Sequence, residues 1–319
     1  MRQPTRAGVR DAAHKLEGVV PPSPLLTASV QGQVVAFKCE SLQPIGAFKL
    51  RGAWHRLTAL TEEQRARGVV AFSSGNHAQG VAWAAKRLGM PATIVMPADA
   101  PRVKRDSTLA LGAEVVSYDR ATESREKIAE ALAAARGAVL VPSFDDPWII
   151  EGQGSAGVEA ARQMAEQGLG EPARVIVPCG GGGLAAGVAL ALANVEMVIA
   201  EPEGWDDMTR SLEAGWIEPV GPNPPQTACD ALQTTRVSPL TFDVLSRRGA
   251  IGLAVSEAEI RAAQRWAANR LRLVVEPGGA VALAALLAGK VERAAGTLVI
   301  LSGGNADPAA YARVLAGTD

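Results

Sequence analysis

Four short segments of this sequence hold residues with chemical potential. The first, Ser41-Leu-Gln-Pro-Ile-Gly-Ala-Phe-Lys49-Leu-Arg-Gly-Ala53, sets Lys49 after a turn and an apolar Phe48, where a helix begins. A lysine held among apolar groups loses some preference for its charged form, and its amine becomes available as a nucleophile. The other reading of the same residue is a helix-start lysine pointing into solvent. The second segment, Ser73-Ser-Gly-Asn-His-Ala-Gln-Gly80, runs from a strand end to a helix start. Its free N–H groups, with the side chains of Ser73, Ser74 and Asn76, suit a carboxylate or phenolate oxygen, or else cap the helix and nothing more. The third, Pro178-Cys-Gly-Gly-Gly-Gly-Leu184, is also a strand-to-helix turn. Four consecutive glycines let successive N–H groups converge on an anion such as phosphate, with a helix dipole behind them, although a glycine run also serves close backbone packing. It lacks the G-K-[ST] ending of a nucleotide P-loop, and no G-x-G-x-x-G with a suitably placed acid follows. The fourth, Leu301-Ser-Gly-Gly-Asn305, ends the last strand.

The elements that must position these loops alternate along the chain. Apolar patterning predicts strands over 69–72, 92–96, 114–118 and 138–141, separated by helices over 77–88, 101–111 and 121–135. The pattern resumes with a helix over 150–167, a strand over 174–178, a helix over 184–193 and a strand over 197–201. It closes with helices over 257–271 and 279–288 and a strand over 297–301. Strands alternating with helices imply an α/β fold built on parallel sheets with right-handed crossovers. In such sheets ligands sit beyond the carboxyl ends of the strands, and all four loops occupy such ends or can face them. The expected organisation is a small domain over 69–141 inserted into a large domain built from 1–68 and 142–319. The stretch 215–239 holds seven prolines or glycines and is either a cover over a site or a surface excursion.

Composition narrows the function. The formal net charge of −1 argues against a nucleic-acid surface, which needs a basic excess. No apolar run approaches the roughly 18–20 residues that cross a bilayer, and the N-terminus lacks the apolar core of a secretory signal. Cys39, Cys179 and Cys229 contain no C-x-x-C pair and fit a reducing cytoplasm. His14, His55 and His77 show no zinc-ligand spacing.

Over nearly its whole length the chain resembles the threonine/serine dehydratase and serine racemase family, the fold type II enzymes of pyridoxal 5′-phosphate (PLP). The resemblance rests on Gly46-Ala-Phe-Lys49-Leu-Arg-Gly-Ala53, Ser73-Ser-Gly-Asn-His77, Gly152-Gln-Gly154, Gly180-Gly-Gly-Gly183, Glu201-Pro202, Glu276-Pro277 and Ser302-Gly-Gly-Asn305, in the family's order. It implies two open, twisted, mostly parallel sheets flanked by helices, and PLP as cofactor. In that family likeness Lys49 carries PLP as a Schiff base and moves the α-proton. Phe48 packs against the cofactor, Asn76 bonds its phenolic oxygen, and Gly180, Gly181, Gly182, Gly183 and the Leu184 N–H hold its phosphate. Ser302 faces the pyridine nitrogen. Ser73, Ser74, Asn76 and His77 receive the substrate carboxylate. Arg125 matches a substrate-closing arginine of the racemases, or is a solvent-facing helix arginine.

A neutral Ser302, in place of an Asp or Arg partner, leaves the ring nitrogen largely unprotonated and favours β-elimination over transamination. The resemblance therefore implies an ammonia-lyase (EC 4.3.1 type) converting L-threonine or L-serine to a 2-oxo acid and ammonia. Serine racemase and hydroxyaspartate dehydratase are the rivals on the same scaffold, and Ser74 as acid/base on the second face permits racemisation. A β-replacing synthase is disfavoured by the Ser73–His77 loop. Outside catalysis, the alternative is a binder of a phosphorylated ligand. The family's divalent-cation ligands match Glu201, the Trp205 carbonyl and Asp207, an oxygen set suited to Mg²⁺ or Ca²⁺, or else an acidic surface turn. Leu140-Val-Pro-Ser-Phe-Asp-Asp146 departs from the family in lacking a histidine, and Gly278-Gly279 widens the space beside the cofactor. With no regulatory module after Asp319, the resemblance is to the single-domain catabolic type, a cytoplasmic homodimer acting on a small amino acid.

Overall fold

The computed structural model describes residues 2–73, 75–100, 102–292 and 294–318. Its strands are β1 (Leu25–Val30), β2 (Gln33–Cys39), β3 (Val69–Phe72), β4 (Ala92–Pro97), β5 (Glu114–Tyr118), β6 (Val139–Leu140), β7 (Arg174–Pro178), β8 (Glu196–Pro202), β9 (Ile251–Val255) and β10 (Thr297–Leu301). The helices through the first half are α1 (Arg6–Leu16), α2 (Leu50–Thr58), α3 (Glu62–Arg67), α4 (Asn76–Leu88), α5 (Arg102–Ala110), α6 (Arg125–Arg136) and α7 (Pro147–Glu166). In the second half they are α8 (Gly183–Ala191), α9 (Asp207–Ala214), α10 (Pro239–Arg247), α11 (Glu257–Trp266), α12 (Pro277–Leu287) and α13 (Pro308–Ala316).

The strands form a six-stranded sheet, β1-β2-β10-β7-β8-β9, and a four-stranded sheet, β5-β4-β3-β6. All pairings are parallel except β1 with β2. This is the expected α/β architecture with two mostly parallel sheets flanked by helices. Strand order reverses beside β3 in the small sheet and beside β7 and β10 in the large one. The loops leaving those three carboxyl ends are the asparagine loop, the glycine loop and the Ser302 loop, so the chemistry-bearing segments sit at topological switch points. The register Val299↔Ile176 sets the ends of β10 and β7 level.

Several boundaries move for local reasons. Helix α6 begins at Arg125, not at 121, because Ser124 accepts a hydrogen bond from the Lys127 N–H (3.3 Å) while Asp119 holds the Ala121 N–H (2.9 Å) in a preceding turn. Helix α7 begins earlier than expected, at Pro147, capped by Asp146 at the Ile149 N–H (3.0 Å). The helix expected over 257–271 ends its α-helical part at Trp266 and continues as a π-helical turn, Ala267–Leu271.

The Gly152-Gln-Gly154 motif belongs to a close crossing of α7 and α8: a Cβ on Gly154 would lie 2.4 Å from the Gly187 carbonyl oxygen. Helix α2 joins the two layers, since its Leu50, Ala53 and Leu57 share one apolar cluster with Val81, Ile94 and Ile149. Lys49 immediately precedes this helix and therefore stands between the sheets. Among the described residues, no helix is long and apolar enough to cross a membrane.

Candidate active site

Between the sheets lies a cavity of about 450 Å³ whose wall includes Lys49, Asn76, Ser143 and Glu276. A narrower recess of about 60 Å³ shares those residues and runs on to the glycine loop, Phe48 and Ser302. The position of Lys49 is set from behind by a buried ionic network. Arg51, 1% exposed, donates to both oxygens of Glu40 (2.7 and 2.8 Å) and both oxygens of Glu159 (3.1 Å each). Lys38 adds bonds to the Ser23 carbonyl (2.6 Å) and to Gln163 (2.7 Å), and pairs with Glu159. These contacts tie α2 to β2 and α7, leaving Lys49 to project from the fixed end of α2. Its amine donates to the Ser143 carbonyl (2.9 Å) and lies 5.1 Å from the Phe48 ring centre. Burial lowers its pKa to about 8, so a substantial neutral fraction is present near physiological pH.

The glycine loop forms the far end of the recess. Gly182 has φ +84°, and a Cβ there would lie 2.7 Å from Met208 and 2.8 Å from Thr241. A Cβ on Gly181 would enter the Phe144 ring, and Thr241 fixes the loop from behind by donating to the Gly181 carbonyl (2.9 Å). Gly180, Gly181, Gly182, Gly183 and Leu184 thus bring backbone close to the recess, ahead of the unpaired first-turn amides of α8. The arrangement fits a phosphate.

Asn76 opens α4 and is held at both ends of its amide: Nδ2 donates to Glu276 Oε1 (2.6 Å), and Oδ1 accepts from Asn305 (2.7 Å). One Nδ2 proton remains for a ligand. Burial, and then the charge of Asp230, raise the Glu276 carboxyl to about 7. His77 lines the cavity, but its ring turns into the core, with Nε2 2.9 Å from the Val141 carbonyl and Nδ1 buried without a partner. Burial, reinforced by the Lys49 charge, lowers this ring to about 3 and keeps it neutral. A carbonyl partner assigns the proton to Nε2, which leaves Nδ1 an acceptor. Any bond from His77 to a carboxylate therefore comes from its backbone N–H. Ser73 lines the same cavity and accepts from the Gly75 N–H (3.2 Å); Ser74 lies outside the described residues. Ser302 is buried in the recess, and its carbonyl accepts from the Phe48 N–H (3.1 Å). Arg125 stands on the cavity wall, 5.6 Å over the Phe72 ring and paired with Glu126 (2.8 Å).

The cation candidates lie beside α9. Glu201 caps that helix, accepting from the N–H groups of Met208 (3.2 Å) and Thr209 (2.7 Å) and from the Thr209 hydroxyl (2.6 Å). Asp207 is buried with both carboxylate oxygens unpartnered. The Trp205 indole bonds the Pro225 carbonyl (2.8 Å). Among the described residues, no group of three or more His, Cys, Asp or Glu side chains could hold a metal. The three cysteines are free and buried.

Sequence reasoning assigned no role to Ser143, Phe144, Glu276 or Arg236, all of which line the cavity. Glu276 was visible as a motif residue. The others lie in loops whose place follows only from packing.

The family model described as "Pyridoxal-phosphate dependent enzyme" matches residues 16–303. An L-threo-3-hydroxyaspartate ammonia-lyase of Pseudomonas sp is 42% identical over 96% of this chain and 97% of that protein. A serine racemase of Schizosaccharomyces pombe is 38% identical over 98% of this chain and 97% of its own length. The crystal structure of a threonine deaminase from T.th. superposes with a TM-score of 0.88 at 40% identity, covering 95% of this chain and 99% of that one. With a lysine, a glycine cup and a buried serine gathered in one recess, the chain belongs to the pyridoxal-phosphate-dependent enzymes of fold type II, close to the threonine/serine dehydratases and serine racemases.

Proposed function

We propose that this protein is a PLP-dependent ammonia-lyase acting on a β-hydroxy α-amino acid of the L-threonine or L-serine type. The supporting observation is the continuity of the recess from Lys49 past Phe48 to the glycine loop and Ser302. In this reading Lys49 bonds the cofactor, Gly180–Gly183 and the Leu184 N–H hold its phosphate, Asn76 meets its phenolic oxygen and Ser302 its ring nitrogen. When bound, PLP supplies an electron sink for the carbanion left at Cα. Lys49 is the base: burial lowers its amine to about 8, so that about half of it is neutral and able to accept the Cα proton near pH 8. The Ser73–His77 loop offers N–H groups at the start of α4 to the α-carboxylate, orienting the Cα–H bond toward Lys49. Loss of the β-hydroxyl follows, and hydrolysis of the resulting enamine gives a 2-oxo acid and ammonia. The water lost in the first stage is regained in the second. Relatives bearing racemase names keep D-isomer formation within this reading, through Ser74.

Borohydride reduction of the PLP-loaded protein followed by peptide mapping tests the assignment. The label is expected on Lys49; a label elsewhere overturns it. Release of 2-oxo acid from none of L-serine, L-threonine and the hydroxyaspartates would overturn the lyase reading. Chiral analysis of unreacted serine separates lyase from racemase. The buried, unpartnered carboxylate of Asp207 fits a hard cation, and Glu201 and the Trp205 carbonyl would share it. Mg²⁺ is then expected to raise the melting temperature of the wild type and leave Asp207→Asn unmoved.

A further inference from the structure

The charged residues around the cavity are mostly paired. Lys104 pairs with Asp230, Arg125 with Glu126, and Glu276 accepts from Asn76. Arg236 lines the same wall, is exposed, and has no ion pair or side-chain hydrogen bond among the described residues. The exposed Asp145 of that wall is not its partner. Arg236 is nevertheless presented from a tethered segment. The Thr235 carbonyl accepts from the Val220 N–H (3.0 Å), and Ser238 caps α10 at the Thr241 N–H (3.1 Å). A guanidinium free of protein partners, held on the wall of a cavity that also contains Lys49, matches a planar carboxylate by two parallel N–H···O bonds. A neutral β-hydroxy amino acid has no group for it, because the α-carboxylate is taken by the loop at the start of α4.

We propose that Arg236 is a specificity-determining residue that receives a second, side-chain carboxylate, so that the preferred substrate class is a β-hydroxy-α-amino dicarboxylic acid. The proposal rests on the ammonia-lyase reading for turnover and for the seat of the α-carboxylate, whereas binding of a dicarboxylate that cannot react tests Arg236 without turnover. Arg125, already engaged by Glu126 and stacked on Phe72, is left to close over the α-carboxylate side.

The test compares the PLP-loaded wild type with Arg236→Gln and Arg236→Lys. One assay measures kcat/KM for L-threo-3-hydroxyaspartate and for L-serine. The other measures calorimetric binding of succinate, a four-carbon dicarboxylate with no amino group to react. Loss of a charge-assisted bidentate contact predicts a fall of roughly 10- to 100-fold in kcat/KM for hydroxyaspartate in Arg236→Gln, with L-serine within about twofold of wild type. The Kd for succinate rises by about tenfold or more, and Arg236→Lys falls between. Equal losses on both substrates, or no change on hydroxyaspartate and succinate, overturn the assignment while leaving the lyase reading intact. Arg236-dependent succinate binding without 2-oxo acid from any amino acid has the opposite meaning: the lyase reading fails and the carboxylate site stands.

Discussion

Replacing Arg51 by leucine removes the centre of the network behind Lys49. The guanidinium makes four bonds to Glu40 and Glu159, at 2.7 to 3.1 Å, and a fifth to the Ser155 hydroxyl at 3.2 Å. Without it, Glu40, fully buried, keeps the Ser23 hydroxyl (2.6 Å) as its side-chain donor. Breaking one side of a buried pair costs about 3–5 kcal/mol, because the remaining charge stays desolvated. For a chain of this size that is a drop in melting temperature on the order of 10 °C. In the wild type, burial pushes the Glu40 carboxyl upward, but the attraction of Arg51 and Lys38 more than offsets this and holds it below its ordinary range. That contribution is present above the unfolded carboxyl pKa and is lost only as pH falls through the lower folded value. In Arg51→Leu the burial effect prevails, Glu40 is raised, and protonation relieves the variant as pH falls. The deficit, read by circular-dichroism melts, is therefore expected to be largest at pH 8 and to shrink toward pH 5. Adding Glu40→Gln should recover a large part of it. A melting temperature within 2 °C of wild type (about 1 kcal/mol or less), or a deficit indifferent to Glu40→Gln, would refute the reasoning.

Four other outcomes follow from the site. Capture of added PLP by the cofactor-free protein should accelerate as pH rises through about 8, as the Lys49 amine deprotonates, and vanish in Lys49→Ala; a rate flat between pH 7 and 9 counts against a buried amine. Gly182→Ala, strained at φ +84° and crowded by Met208 and Thr241, should weaken PLP binding about tenfold or more by equilibrium dialysis. Unchanged affinity would show that the glycine loop is not the phosphate cradle. Glu276 is raised to about 7 by burial and by Asp230, so its stabilisation is present at low pH and is lost as pH rises through 7. The wild type should accordingly lose more melting temperature than Glu276→Gln between pH 6 and 8, and parallel losses would exclude that titration. Magnesium-dependent stabilisation that persists in Asp207→Asn would remove Asp207 from the cation site.

Much of the architecture was legible because it is written in neighbouring residues. Strand–helix alternation announced the parallel sheets, whereas the starts expected at 121 and 150 lie at Arg125 and Pro147, where Ser124 and Asp146 cap the helices. Even the boundary errors were local, as at α6, where Asp119 and Ser124 hold a turn that alanine-rich periodicity concealed. The cofactor class was legible too, through a glycine run, an asparagine loop and a lysine in a set order.

Contacts between distant segments were not legible. His77 was grouped with the substrate ligands by residue alone, and only packing shows that its ring points to the Val141 carbonyl, leaving its backbone N–H for a carboxylate. Arg236 was one residue in a loop-rich stretch until packing brought it to the cavity of Lys49. Lys49 itself could have been a surface lysine. Its sequence determined that it would begin a helix beside Phe48. The tertiary structure decided that this helix start lies between two sheets, where burial lowers the amine to about 8 and strand order brings the glycine loop opposite. Turn and cap conformations depend on atoms a few residues apart, whereas desolvation and ion pairing depend on which strands lie side by side.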